Sequence, residues 1–269
     1  MRSLGGYRCA ASDSVLRRAV RARLIARHYA DALVPYPKLR EAPEAYRRYL
    51  RDRRAYERLS GEALDRYDDN PQLYDRTSST PFDPHYTYQD AWAAREIFQR
   101  APAEHVDVGS RVTFVIGLAA FVPVTFVDLR PLPLELPNLR CIAGSLLDLP
   151  YADGSVESLS CLHVAEHVGL GRYGDPLDPE GTVKSARELA RVLAPGGALW
   201  LGIPVGRQRT NFNAHRVHDP RDVVQMFDGL RLDAFAGVHD EGRYLVDAEP
   251  ADLAGCEWAC GLYRFTRDG

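Results

Sequence analysis

Two histidines and a glutamate stand close together in the middle of the chain, in the run His163-Val-Ala-Glu166-His167. Their types suit proton transfer, because a neutral imidazole or a carboxylate can take a proton from a hydroxyl or an amine. We therefore take His167 and Glu166 as candidate general bases, with His215 further along the chain as a third catalytic candidate. The alternative is that Glu166 only orients His167 or a loop amide.

The same run matches H-x-x-E-H, a signature of zinc peptidases. On a helix this spacing would place both histidines on one face, where they could bind a metal ion. Here the run follows ESLSCLHV, which is rich in strand-forming residues, so it is predicted to end a strand. We therefore expect no metal site and keep a zinc hydrolase only as a third hypothesis.

Two loops rich in polar and basic residues follow, over residues 169–180 and 206–218. Arginine binds a phosphate or carboxylate through paired hydrogen bonds, so both loops suit a polar, hydroxyl-rich or anionic ligand. The alternative for each loop is a structured segment that packs on the domain. The candidate substrate-binding residues are Arg172, Tyr173, Asp175, Arg207, Asn213 and Arg216.

The elements that must position these residues begin with the stretch over residues 105–130. It reads as strand, glycine turn, apolar helix and second strand, with Gly109 in the turn and Asp128 at the end of the second strand. A glycine turn lets backbone N–H groups approach a ligand, and an acid about twenty residues later can accept the hydroxyls of a ribose. This pattern is typical of a nucleotide-binding βαβ unit. Because Arg111 and Thr113 stand where further glycines would fall, the alternative is an ordinary buried βαβ unit.

The rest of the chain alternates between predicted strands and helices. Strands are expected at 140–143, 156–164, 198–205, 230–238 and 258–265, and helices at 182–193 and 219–227. Such alternation indicates an α/β fold with a doubly wound, mostly parallel sheet. The last two strands have no helix between them, which favours an antiparallel hairpin at one edge. We therefore expect a seven-stranded sheet with an antiparallel edge strand over residues 104–269.

Residues 1–103 are predicted to form a separate helical extension, with helices at 14–34, 43–59 and 88–100 and a long loop at 67–88. Residues 1–60 carry fifteen Lys and Arg against six Asp and Glu, whereas the whole chain has a net charge of -3. The basic helices could contact an anionic membrane surface or a partner, or could cover the acidic domain of the same chain. The acidic remainder lacks the basic stripe of a nucleic-acid-binding protein.

The composition is that of a soluble globular protein, with 45% hydrophobic and 26% charged residues. No apolar run is long enough to span a bilayer, and the N-terminus lacks the apolar segment of a secretory signal. The five cysteines form no C-x-x-C pair, which favours reduced thiols. We therefore expect a cytoplasmic protein, and the sequence makes no prediction of its oligomeric state.

The order of these motifs resembles the class I S-adenosylmethionine-dependent methyltransferases over residues 104–266. The first strand ends in Asp107-Val-Gly109, the second in Asp128, and the fourth in Glu166-His167. The helix before the fifth strand ends in Leu193-Ala-Pro-Gly-Gly, the most specific feature of the match. More narrowly, CLHVAEHVGLGRYGDPLDPEG and NAHRVHDP resemble a little-characterised methyltransferase-like family often met near polysaccharide and glycan genes.

The resemblance implies a Rossmann-like methyltransferase fold with S-adenosylmethionine as the cofactor. It also implies that Asp128 binds the ribose and that the loop after the third strand meets the adenine. That loop carries Ser145 where the family has Asp, and a serine can still hydrogen-bond a base. The cofactor-binding residues implied in this way are Asp107, Gly109, Ser110, Asp128, Leu129, Ser145, Leu146 and His163.

Our leading hypothesis is therefore an S-adenosylmethionine-dependent methyltransferase that acts on a small polar or glycan-type acceptor. The second hypothesis is a cofactor-free descendant of the fold that binds a glycan precursor or a partner enzyme, because a fold alone does not imply a function. Arg111 in the glycine turn and Ser145 in the adenine loop are the two departures that motivate it.

Overall fold

The computed structural model describes residues 41–66 and 69–269. The chain divides into two compact units, residues 1–81 and residues 82–269. In the first unit a helix, α1 (Ala42–Ser60), matches the helix predicted at 43–59 and ends where Gly61 takes a φ of 71°. The helix predicted at 14–34 lies outside the described residues.

The second unit is built on an eight-stranded sheet. Its strands are β1 (His105–Val108), β2 (Val124–Asp128), β3 (Leu139–Ala143), β4 (Val156–Leu162), β5 (Leu193–Val205), β8 (Leu230–Val238), β9 (Tyr244–Leu245) and β10 (Ala259–Arg267). Their order in the sheet is β3-β2-β1-β4-β5-β10-β8-β9. Strands β1 to β5 are parallel, and the direction in which successive strands are added reverses between β1 and β4. A separate hairpin consists of β6 (Arg209–Asn211) and β7 (His215–Val217).

This architecture confirms the predicted α/β class with a doubly wound, mostly parallel sheet. The closing strands β8 and β10 pair antiparallel, and β10 lies between β5 and β8. The sheet has eight strands in place of the seven expected, because Tyr244–Leu245 adds a two-residue antiparallel strand at the edge. Such a short strand has too few residues to show an alternating pattern in sequence.

Helices cover both faces of this sheet: α2 (Pro84–Arg100), α3 (Val112–Ala119), α4 (Gly181–Val192) and α5 (Pro220–Met226). Ile97 of α2 belongs to a hydrophobic cluster with Trp200 of β5. Leu189 of α4 belongs to a second cluster with Leu199 of β5. Successive residues of a strand point to opposite faces, so the two clusters are the two sides of one sheet.

Helix α2 begins at Pro84, four residues before the predicted start at Tyr88, so the loop ends at Asp83. Asp83 caps the helix by accepting a hydrogen bond from the Tyr86 N–H at 3.3 Å, and Pro84 provides a preset helical φ. The sequence-based domain boundary after residue 103 places α2 in the helical extension. In the structure the buried face of α2 packs in a cluster of the sheet, and α2 lies in the compact unit that starts at Phe82.

Two further elements differ in extent from their predictions. The segment predicted as a loop at 206–218 contains the β6–β7 hairpin. Strand β5 starts at Leu193 rather than at Ala198, because Leu193 already pairs with Val156 before the Pro-Gly-Gly segment. No helix of the described residues is both long and apolar enough to cross a membrane.

Candidate functional site

A cavity of about 390 Å³ opens where β1, β2, β3 and β4 end, at the carboxyl edge of the parallel strands. Ligands of open α/β sheets bind at this edge, beside the point where the strand order reverses. The volume is in the range of cavities that hold small-molecule ligands. Nine residues predicted from sequence line it: Gly109, Asp128, Leu129, Ser145, Leu146, His163, His167, Tyr173 and Asp175.

Gly109 and Asp128 both belong to the lining of this cavity. The Gly109 N–H donates to the Val127 carbonyl at 2.9 Å, which ties the end of β1 to the end of β2. Gly109 has a φ of 70°, and a Cβ atom there would stand 2.9 Å from Cγ1 of Val164, so the position requires glycine. Asp128 accepts from the Arg130 N–H through Oδ1 at 2.7 Å, and this bond orients its carboxylate.

Asp107 and Ser110 are buried and do not line the cavity, although both were predicted to bind the cofactor. Asp107 accepts from the Ser110 N–H at 3.0 Å and from the hydroxyl of Ser160, and burial raises its pKa to about 6. The Ser110 hydroxyl accepts from the Leu162 N–H at 3.0 Å. These bonds join the ends of β1 and β4, so both residues fix the glycine turn.

The loop after β3 contributes Gly144 to Leu147 to the cavity lining. The Ser145 hydroxyl accepts from the Leu147 N–H at 3.1 Å, and the Gly144 N–H donates to the Asp128 carbonyl at 3.1 Å. As an acceptor in the turn, the Ser145 hydroxyl keeps its own hydrogen for donation. The loop therefore places a hydroxyl donor and the Leu146 side chain in the same cavity lining as Asp128.

His163 follows the last residue of β4 with a φ of 57°, a left-handed conformation that is costly for a residue with a Cβ atom. Its Nδ1 lies 2.7 Å from Oε1 of Gln89, and this acceptor oxygen requires Nδ1 to carry the hydrogen. Nε2 is then the bare nitrogen, and it is buried without a hydrogen-bond partner among the described residues. Burial lowers the pKa of His163 to about 3, so the ring is neutral at pH 7.

Glu166 and His167 lie on a 3-10 turn, Ala165–His167, that follows β4. His167 Nδ1 lies 2.6 Å from the Ala214 carbonyl oxygen and therefore carries the hydrogen, so its Nε2 holds the lone pair. This Nε2 lies 3.6 Å from Oε1 of Glu166, whose two oxygens have no hydrogen-bond partner in the described part of the chain. Burial raises the pKa of Glu166 to about 8 and lowers that of His167 to about 4, so both are uncharged at neutral pH.

This geometry does not have the helical arrangement of zinc peptidases. His163 sits at a strand end and His167 on a single 3-10 turn, so the two rings do not share a helix face. Within residues 41–66 and 69–269, no group of three His, Cys, Asp or Glu side chains is arranged to hold a metal ion.

The loop over residues 169–180 is folded around Asp175. Its carboxylate accepts from the backbone N–H groups of Gly169 at 2.6 Å, Gly171 at 3.3 Å and Tyr173 at 3.2 Å. These bonds bring Tyr173 to the cavity, with its ring centroid 5.8 Å from that of His167. Asp175 thus orders the loop, and Tyr173 is the side chain that the loop presents.

The β6–β7 hairpin and the residues just before it contain four further predicted residues, none of which lines the cavity: Arg207, Asn213, His215 and Arg216. Arg216 is buried and donates to the carbonyls of Val168 at 2.6 Å and Asp178 at 2.8 Å, so its guanidinium fixes the 169–180 loop. Arg207 pairs with Glu257 on the surface, and Asn213 is exposed in the hairpin turn. Their predicted role in substrate binding therefore has no support from this geometry.

His215 and Arg172 flank His167. The His215 ring centroid lies 6.5 Å from that of His167, and its Nε2 lies 3.0 Å from the Asn211 side-chain nitrogen. Arg172 donates to the Ala214 carbonyl at 3.2 Å, the same oxygen that accepts from His167. Arg172 and the hairpin therefore share one anchoring point with the candidate base.

Sequence reasoning missed several aromatic residues at the site, namely His85, Tyr86 and Trp258. They complete a continuous series of ring contacts with centroid separations between 4.9 and 6.5 Å. The series runs Tyr86, His163, His85, Trp258, His215, His167, Tyr173. The Asp83-Pro84 helix start could have revealed the first two residues, whereas the position of Trp258 follows only from the tertiary fold.

Residues 151–250 match a family model described as a Caenorhabditis protein of unknown function, DUF268. A comparison of the sequence with curated proteins finds no match. Among solved structures, the [4+2]-cyclase SpnF is 12% identical, with a TM-score of 0.52 over 72% of this chain and 86% of that one. The N-methyltransferase NodS from Bradyrhizobium japonicum WM9, solved with S-adenosylhomocysteine, is 16% identical, with a TM-score of 0.49 over 75% of this chain and 94% of that one.

The similarity to solved structures is a similarity of fold. Many of these structures are described as methyltransferases, among them NodS and a putative methyltransferase from Bacillus halodurans C-125, which is 15% identical with a TM-score of 0.46 over 65% of this chain and 99% of that one. SpnF has the same architecture, although it is described as a cyclase. The order of the strands in the sheet and the match with SpnF establish the Rossmann-like fold, and the activity has to be argued from the site.

Proposed function

We propose that this protein is an S-adenosylmethionine-dependent methyltransferase that acts on a small polar or glycan-type acceptor. The observation that carries the proposal is the cavity at the ends of β1 to β4, with a glycine turn and an acidic strand end both in its lining. This pairing suits a nucleoside, because the turn leaves room for the ligand and the acid accepts ribose hydroxyls.

The residues of the cavity fit this cofactor. Asp128 offers a carboxylate for the ribose, and Leu129 and Leu146 offer apolar surface beside a base. The Ser145 hydroxyl can donate a hydrogen bond to the base. When bound, the cofactor supplies a methyl group on a positively charged sulfur.

Arg111 does not belong to the residues that line the cavity, although it replaces a small residue of the family pattern. Its guanidinium carbon lies 4.6 Å from the centroid of the Tyr86 ring, and its side chain is exposed. The substitution in the glycine turn therefore leaves the cavity open, which removes one of the two reasons for a cofactor-free protein.

His167 is the residue best placed to accept a proton from the acceptor. It lines the cavity, and its ring is neutral at pH 7 because burial lowers its pKa to about 4. The bond from Nδ1 to the Ala214 carbonyl fixes the ring and leaves the Nε2 lone pair free. Glu166 is fully buried beside it, with Oε1 3.6 Å from this nitrogen. General-base catalysis of this kind contributes about 10²- to 10⁴-fold to a rate.

The direct test is calorimetry of the full chain with S-adenosylmethionine and with its demethylated product, S-adenosylhomocysteine. We expect saturable binding that Asp128→Ala weakens by about tenfold or more, since it removes charge-assisted bonds to a ribose. Asp268→Ala is the matched control, because this acid pairs with Arg231 away from the cavity. Absence of binding at millimolar concentration would reject the proposal and favour the cofactor-free alternative.

A further inference from the structure

Three arginines cluster on two tyrosine rings beside the cavity. The guanidinium carbon of Arg111 lies 4.6 Å from the ring centroid of Tyr86. Those of Arg130 and Arg172 lie 4.9 Å and 5.1 Å from the ring centroid of Tyr173. Tyr173 and Arg130 line the cavity. The Tyr86 ring lies 5.0 Å from the ring of His163, and the Tyr173 ring lies 5.8 Å from that of His167, so both phenols flank the same site.

None of these three guanidinium groups forms an ion pair with any residue that the structure describes. Arg172 donates only to neutral partners, chiefly the Ala214 carbonyl. Two carboxylates also line the cavity: Asp175 accepts from three backbone N–H groups and Asp128 from the Arg130 N–H. Both keep their negative charge, and the three guanidinium groups outnumber them. Glu166 is uncharged, because burial raises its pKa to about 8. The cluster is therefore a local positive field on a chain of net charge -3.

The positive charge of these three guanidinium groups favours the binding of an anion. A guanidinium is planar and binds phosphate or carboxylate oxygens through two parallel hydrogen bonds. The cation–π contacts with Tyr86 and Tyr173 hold the three guanidinium groups in place without using their N–H donors. Arg172 uses one of its donors on the Ala214 carbonyl. Two arginines at one ring also repel each other, and an anion between them would remove that repulsion.

We infer that the acceptor of the proposed methyl transfer carries a phosphoryl or carboxyl group that binds to Arg111, Arg130 and Arg172. This inference rests on the proposed function. The uncharged groups His163, Glu166 and His167 lie deeper, so the anion is held by the arginines while a neutral hydroxyl or amine faces His167. The site thus distinguishes the charged end of the acceptor from its reacting end.

The test uses the full chain with saturating S-adenosylhomocysteine and two probes, pyrophosphate and malonate, titrated by calorimetry at low salt. We expect one probe to bind saturably and Arg130→Gln and Arg172→Gln each to weaken it by about tenfold. Pyrophosphate alone would identify a phosphoryl group, and malonate alone a carboxyl group. Arg187→Gln is the matched control, because it removes one exposed positive charge from α4 outside the cavity, and it should change the affinity less than twofold.

Two results would overturn the inference. One is the absence of saturable binding of both probes, or an equal loss in Arg187→Gln. The other is a loss of S-adenosylhomocysteine affinity in the Arg130 and Arg172 variants with probe binding unchanged, which would assign the arginines to the cofactor's own carboxyl group. Failure of S-adenosylhomocysteine to bind the unmodified protein would reject the proposed function, whereas the probe titration, repeated without it, decides the anion site separately.

Discussion

The Glu166 carboxyl and the His167 imidazole face each other across 3.6 Å, and burial keeps both uncharged at neutral pH. If both groups were charged, they would form a salt bridge, and both ring nitrogens of His167 would carry a hydrogen. The neutral pair instead leaves the His167 Nε2 lone pair in place, since Nδ1 carries its hydrogen to the Ala214 carbonyl. The protein thus keeps a proton acceptor beside the cavity at the pH of a cell.

The first prediction concerns Glu166 and the pH dependence of stability. Its pKa is about 8 in the folded protein against an ordinary value near 4.5, so the native state binds the extra proton between these two pH values. The unfolding free energy therefore falls as pH rises through this window and levels off above about 8. We expect Glu166→Gln to remove the slope between pH 6.5 and 8, measured by urea unfolding at each pH.

The comparison of Glu166→Gln with the unmodified protein isolates Glu166 from the other shifted groups. Burial lowers the pKa values of His163 and His167 to about 3 and 4, so these rings change the stability up to their ordinary pKa of 6.5, and they do so equally in both proteins. The same holds for Asp107, whose pKa burial raises to about 6. An unchanged slope in Glu166→Gln would show that the carboxyl is ionised in the folded protein.

The second prediction concerns His167 as the proton acceptor. His167→Gln should lower methyl transfer by about 10²- to 10⁴-fold and leave S-adenosylhomocysteine affinity within threefold, because the base acts on the acceptor. Transfer of a radiolabelled methyl group to small molecules from cell extract provides the measurement. His239→Gln, at a position outside the cavity, is the control. Equal activity of His167→Gln and the control would remove His167 from the catalytic role.

The third prediction concerns Gly109. Gly109→Ala places a side chain at a φ of 70°, with its Cβ 2.9 Å from Val164, which costs about 1–3 kcal/mol of stability and distorts the turn. We expect weaker S-adenosylhomocysteine binding together with a lower urea midpoint. Gly117→Ala in helix α3 meets nothing within 4 Å and should stabilise the protein by about 0.5–1 kcal/mol. Tolerance of alanine at Gly109 would contradict the strained turn.

The fourth prediction concerns Arg216 and Arg207, which the sequence analysis predicted to have the same role in substrate binding. Arg216→Met leaves the buried carbonyls of Val168 and Asp178 without their donor and should cost about 1–3 kcal/mol. It should also make the 169–180 loop sensitive to proteolysis. Arg207→Met removes only an exposed pair with Glu257, so its urea midpoint should stay close to that of the unmodified protein. Equal midpoints for the two variants would show that Arg216 does not anchor the loop.

The sequence by itself determined the class of fold and one wall of the candidate site. Strands that alternate with helices leave little choice other than a parallel sheet, and parallel strands bring their carboxyl ends to one edge. Gly109, Asp128, Ser145 and His163 each lie at a strand end or within two residues of one, so their meeting at the cavity could be predicted from order alone. The predicted bounds of most helices and strands lie within a few residues of the observed bounds.

Only the tertiary structure decided which polar side chains of the long loops face the cavity. Arg172, Arg207 and Arg216 have the same chemistry in sequence, yet one lies beside Tyr173, one pairs with Glu257 at the surface, and one is buried on backbone carbonyls. The direction of a loop side chain depends on contacts between segments distant in the chain, which carry no local periodic signal. The neutral state of Glu166 and His167 has the same origin, because burial, which shifts both pKa values, exists only after the chain has folded.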